Sequence, residues 1–329
     1  MQHNPPDVGK TGDLFLSVII PLYNKELSVG RAVASVLAQH YPNFELLVVD
    51  DGSTDESYAR AAAFADPRVR LIRQSNQGVA AARNQGMLHA RGKYLCFLDA
   101  DDQYLPEFLS QMACLIRQAP EAALYSCRFD IVDEHGRMMQ LNSSFAPEFA
   151  GPVADFFTAY RQNRSLICAS SFAIRRELLL AIGGFPAGIR IGEDIFVWLQ
   201  AALTGPMLYS AKTAAVVYQN AENRTVHQQT QELAWHLVYF LRDRRWTQNL
   251  AAEKVQQIDR FIRHNVLVAA FGALRFGRCD VARGYAGLLR QQSLLVSLLI
   301  QCGSYLPLGL YQGLRLLRNY LTTNRPRPR

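Results

Sequence analysis

No two of the six cysteines in this chain are spaced CxxC, and none lies in a cluster with histidine. The residues for a cysteine-based metal site or redox pair are therefore missing. Several of them sit inside apolar runs, where a thiol packs as a small hydrophobe. That usage suits a reducing compartment, so a cytoplasmic location is expected. Residues 1–13 are polar, hold Pro5, Pro6 and two glycines, and contain no apolar stretch. They read as a flexible leader rather than a signal peptide. There is no internal repeat, and no charge anywhere between Arg290 and Arg315.

What is present is ordinary globular material: 49% hydrophobic and 19% charged residues, enough to build a sizeable core. The charge is unevenly shared. Residues 1–240 carry 20 Lys and Arg against 24 Asp and Glu, whereas residues 241–329 carry 15 against 4. A mildly acidic body with a basic tail points to an anionic surface as partner of the tail, either membrane or nucleic acid. No nucleic-acid recognition motif accompanies the charge, and the uncharged apolar span suits a bilayer better. That span is long enough to cross a membrane, but its glutamines, glycines and Pro307 make it a poor spanning helix. Peripheral attachment is the expectation.

Along the first 130 residues two hydrophobic periods alternate. Short β-branched or apolar runs at 15–20, 46–49, 69–72 and 93–98 predict strands. Helical spacing predicts helices over 26–38, 78–90 and from Pro106 onward. Strands that are apolar throughout and alternate with helices imply an α/β fold, a mostly parallel sheet with helices on both faces. Beyond Asp130 the pattern weakens. A strand is expected at 168–174 with a short helix after it, a helix at 193–203 and a strand at 207–218. From Thr230 onward only helices are expected, with stripes at Leu233, Leu237, Phe240 and Leu241, and at Ile258, Phe261, Ile262, Val266 and Ala269.

In an open parallel sheet, ligands bind beyond the carboxyl ends of the strands. Here Tyr23 and Asn24 follow the first strand, Asp50 and Asp51 the second, and Asp99, Asp101 and Asp102 the fourth. Any one of these alone is also what a turn or helix cap looks like. Three on one sheet edge point to a ligand site. Two hard carboxylates spaced as Asp99 and Asp101 can share Mg²⁺ or Mn²⁺, whose shell substrate phosphates commonly complete. The segment 76–86 (NQGVAAARNQG) adds a helix of small residues, able to pack closely, with Arg83 as a cation suited to face a diphosphate.

The runs SVIIPLYN (17–24), VDDGSTD (49–55), NQGVAAARNQG (76–86) and LDADD (98–102) together resemble the family 2 glycosyltransferases of the GT-A fold. The resemblance is close from about residue 15 to 107, looser to about 218, and does not reach the tail. It implies a GT-A, Rossmann-like domain over 14–228, with the nucleotide-sugar side in 14–130 and the acceptor side in 131–228. A basic helical region over 229–329, expected to associate with a membrane surface, would follow. Pro21, Tyr23, Asn24, Asp50, Asp51, Asn76 and Gly78 would serve nucleotide-sugar binding, with Arg83 near base and diphosphate. Asp99 would reach the ribose or the metal, and Asp101 would ligate Mg²⁺ or Mn²⁺. Arg224 falls where the family often has a diphosphate contact, and His227 where it has a metal-bound histidine.

Family members also place an acidic pair at the start of a later helix. Glu193 and Asp194 match it, after the turn of Gly183, Gly184 and Phe185. The implied reaction is inverting transfer of a hexosyl or N-acetylhexosaminyl group. The donor would be a nucleoside-diphosphate sugar, most often a UDP-sugar, and the acceptor a glycan or lipid-linked hydroxyl in bacterial surface polysaccharide or glycolipid assembly. Asp194 is the first choice for the base and Glu193 the second; as first-turn acids both also suit the helix dipole. A sugar nucleotidyltransferase would need a Gly-rich loop after the first strand, where this chain has Pro21 and Tyr23. A catalytically inactive GT-A-like scaffold is the other alternative, and intact Asp99, Asp101 and Asp194 speak against it. Arg245 and Trp246 lack the glutamine that a processive-synthase signature requires.

Overall fold

The computed structural model describes residues 14–163, 165–189, 191–222, 233–248 and 250–290, with 297, 298, 300, 301 and 304 beyond them. The chain divides into two compact units, Met1–His227 and Gln228–Arg329.

The first unit opens with β1 (Leu16–Leu22), α1 (Val29–Leu37), β2 (Phe44–Asp50), α2 (Ser57–Ala62), β3 (Val69–Arg73), α3 (Val79–His89) and β4 (Tyr94–Phe97). It continues through β5 (Gln103–Tyr104), α4 (Phe108–Gln118), β6 (Leu124–Val132), β7 (Met138–Met139), β8 (Ala150–Val153) and α5 (Phe156–Gln162). It closes with β9 (Phe172–Arg175), α6 (Arg176–Ala181), α7 (Glu193–Thr204) and β10 (Met207–Tyr218). The sheet order is β3-β2-β1-β4-β9-β6-β10-β5, with β7 beside β6 and β8 beside β10. β1 to β4 run parallel, β9 is antiparallel between β4 and β6, and β10 returns parallel to β6.

All residues of β1 and β2 are buried, as an interior parallel strand requires. Leu16, Val18, Ile20 and Leu22 join the core built with Val29 and Val33 of α1 and Leu109 and Met112 of α4. Ile19 points to the opposite face. There a Cβ on Gly86 of α3 would stand 2.4 Å from Ile19 Cγ2, so only glycine lets this helix lie so near the strand. The close packing expected of the small-residue helix is thus present.

The first strand does not stop before Pro21 but runs through it to Leu22. Leu22 O accepts from Asp51 N on the β2 side and Ile19 O from Leu98 N on the β4 side. Alternation therefore aims position 21 at the β4 side, where pairing has ended at Ile19 with Phe97. The missing proline N–H costs no ladder bond there.

In the second unit, α8 (Trp235–Arg242), a 3-10 turn at Arg244–Thr247, α9 (Ala252–Arg275) and α10 (Cys279–Leu289) are all helical. The buried stripe of α9 is Ile258, Phe261, Ile262, Val266, Ala270, Ala273 and Leu274, so Ala270 takes the place expected for Ala269. Leu237 and Phe240 are buried in α8, while Leu233 and Leu241 are half-buried. Arg244 grips Asp259 through both guanidinium nitrogens, at 2.5 and 3.1 Å.

Candidate active site

The carboxyl ends of β1, β2 and β4 bring three loops to one edge of the sheet. Asp50 and Asp51 are buried and serve these loops directly. Asp50 accepts from Ser53 N at 3.1 Å and meets Arg73 Nε at 3.0 Å. Asp51 accepts from Gln74 Nε2 (2.7 Å), Gln77 N (2.9 Å) and Gly78 N (2.7 Å), tying the β2 loop to the start of α3. Gly52, at φ 75°, passes so near this segment that a Cβ would lie 2.9 Å from Asn76 N. Asn24 takes φ 49°, a conformation asparagine tolerates, and accepts from Thr54 N at 2.9 Å. Tyr23, Asn76 and Gly78 are exposed at this edge.

The loop after β4 gathers Asp99, Asp101 and Asp102, one carboxylate oxygen of each lying within 4.8 Å of the others. Three hard oxygen donors so spaced fit Mg²⁺ or Mn²⁺. Their surroundings differ. Asp102 is buried, accepting from Ser170 Oγ at 2.5 Å and Tyr218 N at 3.0 Å, and burial beside Asp101 and Asp99 pushes its pKa well up. Asp101 Oδ2 meets Lys25 Nζ at 2.8 Å, and its main-chain oxygen accepts from Arg31 Nη2 at 2.6 Å. Burial and the charge of Asp99 raise the Asp101 pKa, against the pull of Lys25. Asp99 is about a third exposed and is held by Arg83.

Arg83 links this cluster to the start of α7. Buried on α3, it donates to Asp99 Oδ1 and to Glu193 Oε1, both at 2.7 Å. Against the cost of burial, the charges of Asp99, Glu193 and Asp194 hold the guanidinium firmly protonated. The next residue, Asn84, donates to Phe185 O at 2.7 Å and accepts from Phe185 N at 2.9 Å. It thereby fastens the turn of Gly183 and Gly184 that leads into α7. At Gly184, φ 72°, a Cβ would come within 2.6 Å of Asn84 Oδ1.

α7 then starts with two acids of opposite circumstance. Glu193 is buried and neutralised by Arg83. Asp194 is half-buried, and its Oδ1 accepts from Ile195 N at 2.7 Å. Burial and the charge of Glu193 raise its pKa to about 7, with Arg83 pulling the other way. A carboxylate titrating near 7 is poised to take a proton at neutral pH.

Asp99, Arg83 and Glu193 therefore form one connected array, with Asp101 and Asp194 at its two ends. Arg224 and His227 lie outside the described residues. Sequence reasoning missed Lys25, Ser170, Glu222 and the structural part of Asp102. Lys25 follows Asn24 directly and was open to notice; Ser170 and Glu222 reach the site only through tertiary contact. Glu222 Oε1 accepts from Leu27 N at 3.2 Å and Ser28 Oγ at 2.9 Å, and its carbonyl accepts from Lys25 Nζ.

A mostly parallel sheet with this acidic edge is the GT-A type of α/β fold, and solved structures agree. Staphylococcus aureus TarS 1-349, solved with UDP-GlcNAc, aligns at TM-score 0.68 over 84% of this chain and 81% of that one. At 20% identity that likeness bears on fold alone. The chain belongs to glycosyl transferase family 2, whose sequence pattern matches residues 17–183.

The UDP-Glc:α-D-GlcNAc-diphosphoundecaprenol β-1,3-glucosyltransferase WfgD of Escherichia coli is 29% identical over 188 residues, covering 57% of this chain and 69% of that protein. The succinoglycan biosynthesis protein ExoO of Rhizobium meliloti is 31% identical over 227 residues, 67% of this chain and 64% of that one. An uncharacterized glycosyltransferase of Rickettsia felis is 32% identical over 192 residues, but the chain spans only 30% of that relative's length.

Proposed function

We propose that this chain is an inverting glycosyltransferase that moves a sugar from a nucleoside-diphosphate donor, a UDP-sugar, to an acceptor hydroxyl in polysaccharide or glycolipid assembly. The observation that carries this reading is the separation of roles in the acid pair. Arg83 neutralises Glu193, while Asp194 keeps an oxygen and a pKa of about 7 for the acceptor proton.

The residues divide the work as follows. The loops after β1 and β2, shaped by Asn24, Asp50 and Asp51, receive the nucleoside, with Pro21, Tyr23, Asn76 and Gly78 along their edge. Asp101 and Asp99 hold Mg²⁺ or Mn²⁺, and Asp102 positions that loop through Ser170 and Tyr218. When bound, the metal neutralises charge on the leaving diphosphate as a Lewis acid. Asp194 accepts the proton of the acceptor hydroxyl, whose oxygen attacks the anomeric carbon opposite the leaving group and inverts it. Arg83 holds Glu193 in an ion pair, which leaves Asp194 to take the proton. The similarity to WfgD, which takes a UDP-Glc donor and a diphosphoundecaprenol acceptor, and to the succinoglycan biosynthesis protein ExoO supports this class of donor, acceptor and pathway.

The second unit is assigned to an anionic membrane surface on the cytoplasmic face. Val268, Phe271 and Phe276 are exposed on and after α9, whose outer stripe also carries Arg260 and Arg275. Apolar groups beside arginines suit the headgroup layer, where each basic residue contributes on the order of 1 kcal/mol. No helix among the described residues is long and apolar enough to cross a membrane.

The test is a screen of nucleotide sugars with Mn²⁺, scored by released nucleoside diphosphate. One donor class should be turned over, and turnover should cease in excess EDTA. Full activity in EDTA would remove the metal role, and no turnover of any donor would remove the enzymatic one. For the membrane, the full chain should pellet with anionic vesicles at low salt and be released at high salt; staying in the supernatant would refute attachment.

A further inference from the structure

We infer that Lys25 is the built-in counter-cation of Asp101, exchanging that carboxylate for the donor's diphosphate when metal and nucleotide arrive, so that the two ligands bind cooperatively. The inference rests on the metal-dependent reading above.

Lys25 Nζ lies 2.8 Å from Asp101 Oδ2, with both side chains nearly out of solvent at 13% and 14% exposure. It donates as well to the carbonyl of Glu222. Asp101 shares its space with Asp99 and Asp102. Three carboxylates so close repel one another at the reduced dielectric of a partly buried site, and one resident ammonium relieves part of that repulsion. A divalent ion draws on the charge of the same carboxylate. It repels the ammonium held against Asp101, so metal binding by itself weakens that ion pair and leaves a nearly buried cation with less of its anion's charge.

The surroundings fix everything except the lysine side chain. Lys25 N donates to Ser57 Oγ at 2.6 Å, and Lys25 O accepts from Ser28 N at 3.1 Å and Val29 N at 2.9 Å, binding the residue to the first turn of α1. Asp101 is pinned through its own carbonyl by Arg31, whose guanidinium lies 3.7 Å above the Tyr218 ring. Only the four-carbon stem of Lys25 is left to swing, and its compact ammonium suits phosphate oxygens. A diphosphate drawn to a cation held at Asp101 would offer its oxygens to that ammonium. With nucleotide present the ammonium regains an anion; without it, metal binding leaves the ammonium with a weakened pair. Each ligand therefore tightens the other by the same factor, as linkage requires.

The experiment is calorimetric titration of the full chain with Mn²⁺ alone, with UDP alone, and with Mn²⁺ in saturating UDP. In the native protein UDP should tighten Mn²⁺ binding roughly tenfold or more. Lys25→Met should bind Mn²⁺ alone about tenfold more tightly, bind UDP alone more weakly, and bring the coupling factor toward one. Lys25→Gln carries the same expectation should the methionine variant fold poorly, and Lys25→Arg should keep the native pattern. Mn²⁺ binding no tighter in the neutral variants, or an unchanged coupling factor, would overturn the exchange while leaving the metal site intact. A native protein that binds no Mn²⁺ with or without UDP would overturn the metal reading, and the inference with it.

Discussion

The two acidic centres of the first unit face each other through Arg83, and they handle negative charge in opposite ways. At the end of β4, three carboxylates crowd together and are answered by cations and donors: Lys25 on Asp101, Arg83 on Asp99, Ser170 and the Tyr218 amide on Asp102. At the start of α7, two carboxylates share one cation, and Glu193 takes it. Among the described residues Asp194 has one main-chain donor, and its pKa is raised to about 7. At the strand end the Asp101 and Asp102 pKa values are raised by burial and by the repulsion of neighbouring acids, and an added cation relieves that repulsion. A site that must accept a proton needs one acid whose ionised form is poorly stabilised. One buried arginine supports both centres, by lending a nitrogen to each.

The comparison can be broken from either side, and the strand-end centre should give the largest effect. Asp101→Ala removes a carboxylate that the diphosphate cannot replace, so turnover of donor should fall below detection and calorimetric Mn²⁺ affinity should drop with it. Arg83→Met tests the bridge. It leaves Glu193 buried and unpaired, which should cost about 3–5 kcal/mol of stability, read as a lowered thermal midpoint. The same variant removes the cation that holds the Asp194 pKa down, so any residual activity should need higher pH than the native enzyme.

Smaller effects come from the scaffold beneath. Gly86→Ala would drive a methyl into Ile19 and should cost roughly 1–3 kcal/mol by denaturant unfolding. Gly183→Ala meets no atom within 4 Å and bears only its φ of 87°, so about 1 kcal/mol is expected. A Gly86 variant as stable as the native chain would mean that α3 does not lie as near β1 as described.

Much of the strand-end centre was legible in the sequence, because its residues are local. Asp50 ends its apolar strand and Asn24, Asp51 and Asp99 each follow theirs by a residue or two, and the strand predicts its own loop. β10 was legible in full because Met207–Tyr218 is mostly apolar, with Lys212 its one charged residue. β6 was not, since Arg128 and Asp130 interrupt its pattern. They are tolerated because they lie 3.6 Å apart and Arg128 also donates to Leu141 O at 2.8 Å. β5, β7 and β8, of two to four residues, are too short to carry a period, and α5 declares itself through its Asp155 cap rather than a stripe. The sequence ranked Asp194 before Glu193 but held no physical difference between them; that difference comes from an arginine 110 residues away, which pairs with Glu193.

That choice is also where the account is most exposed. The most direct measurement is the pH dependence of donor turnover for the native chain and for Asp194→Asn, with nucleotide affinity measured in parallel. The base must be ionised to act, and its pKa is raised. Native activity should therefore fall about tenfold per pH unit below about 7 and level off above it. Asp194→Asn should lose roughly a hundredfold or more in rate, show no such inflection, and bind UDP as the native chain does. An Asp194→Asn enzyme that works at near the native rate, with the inflection still in place, would contradict the assignment and pass the role of base to Glu193.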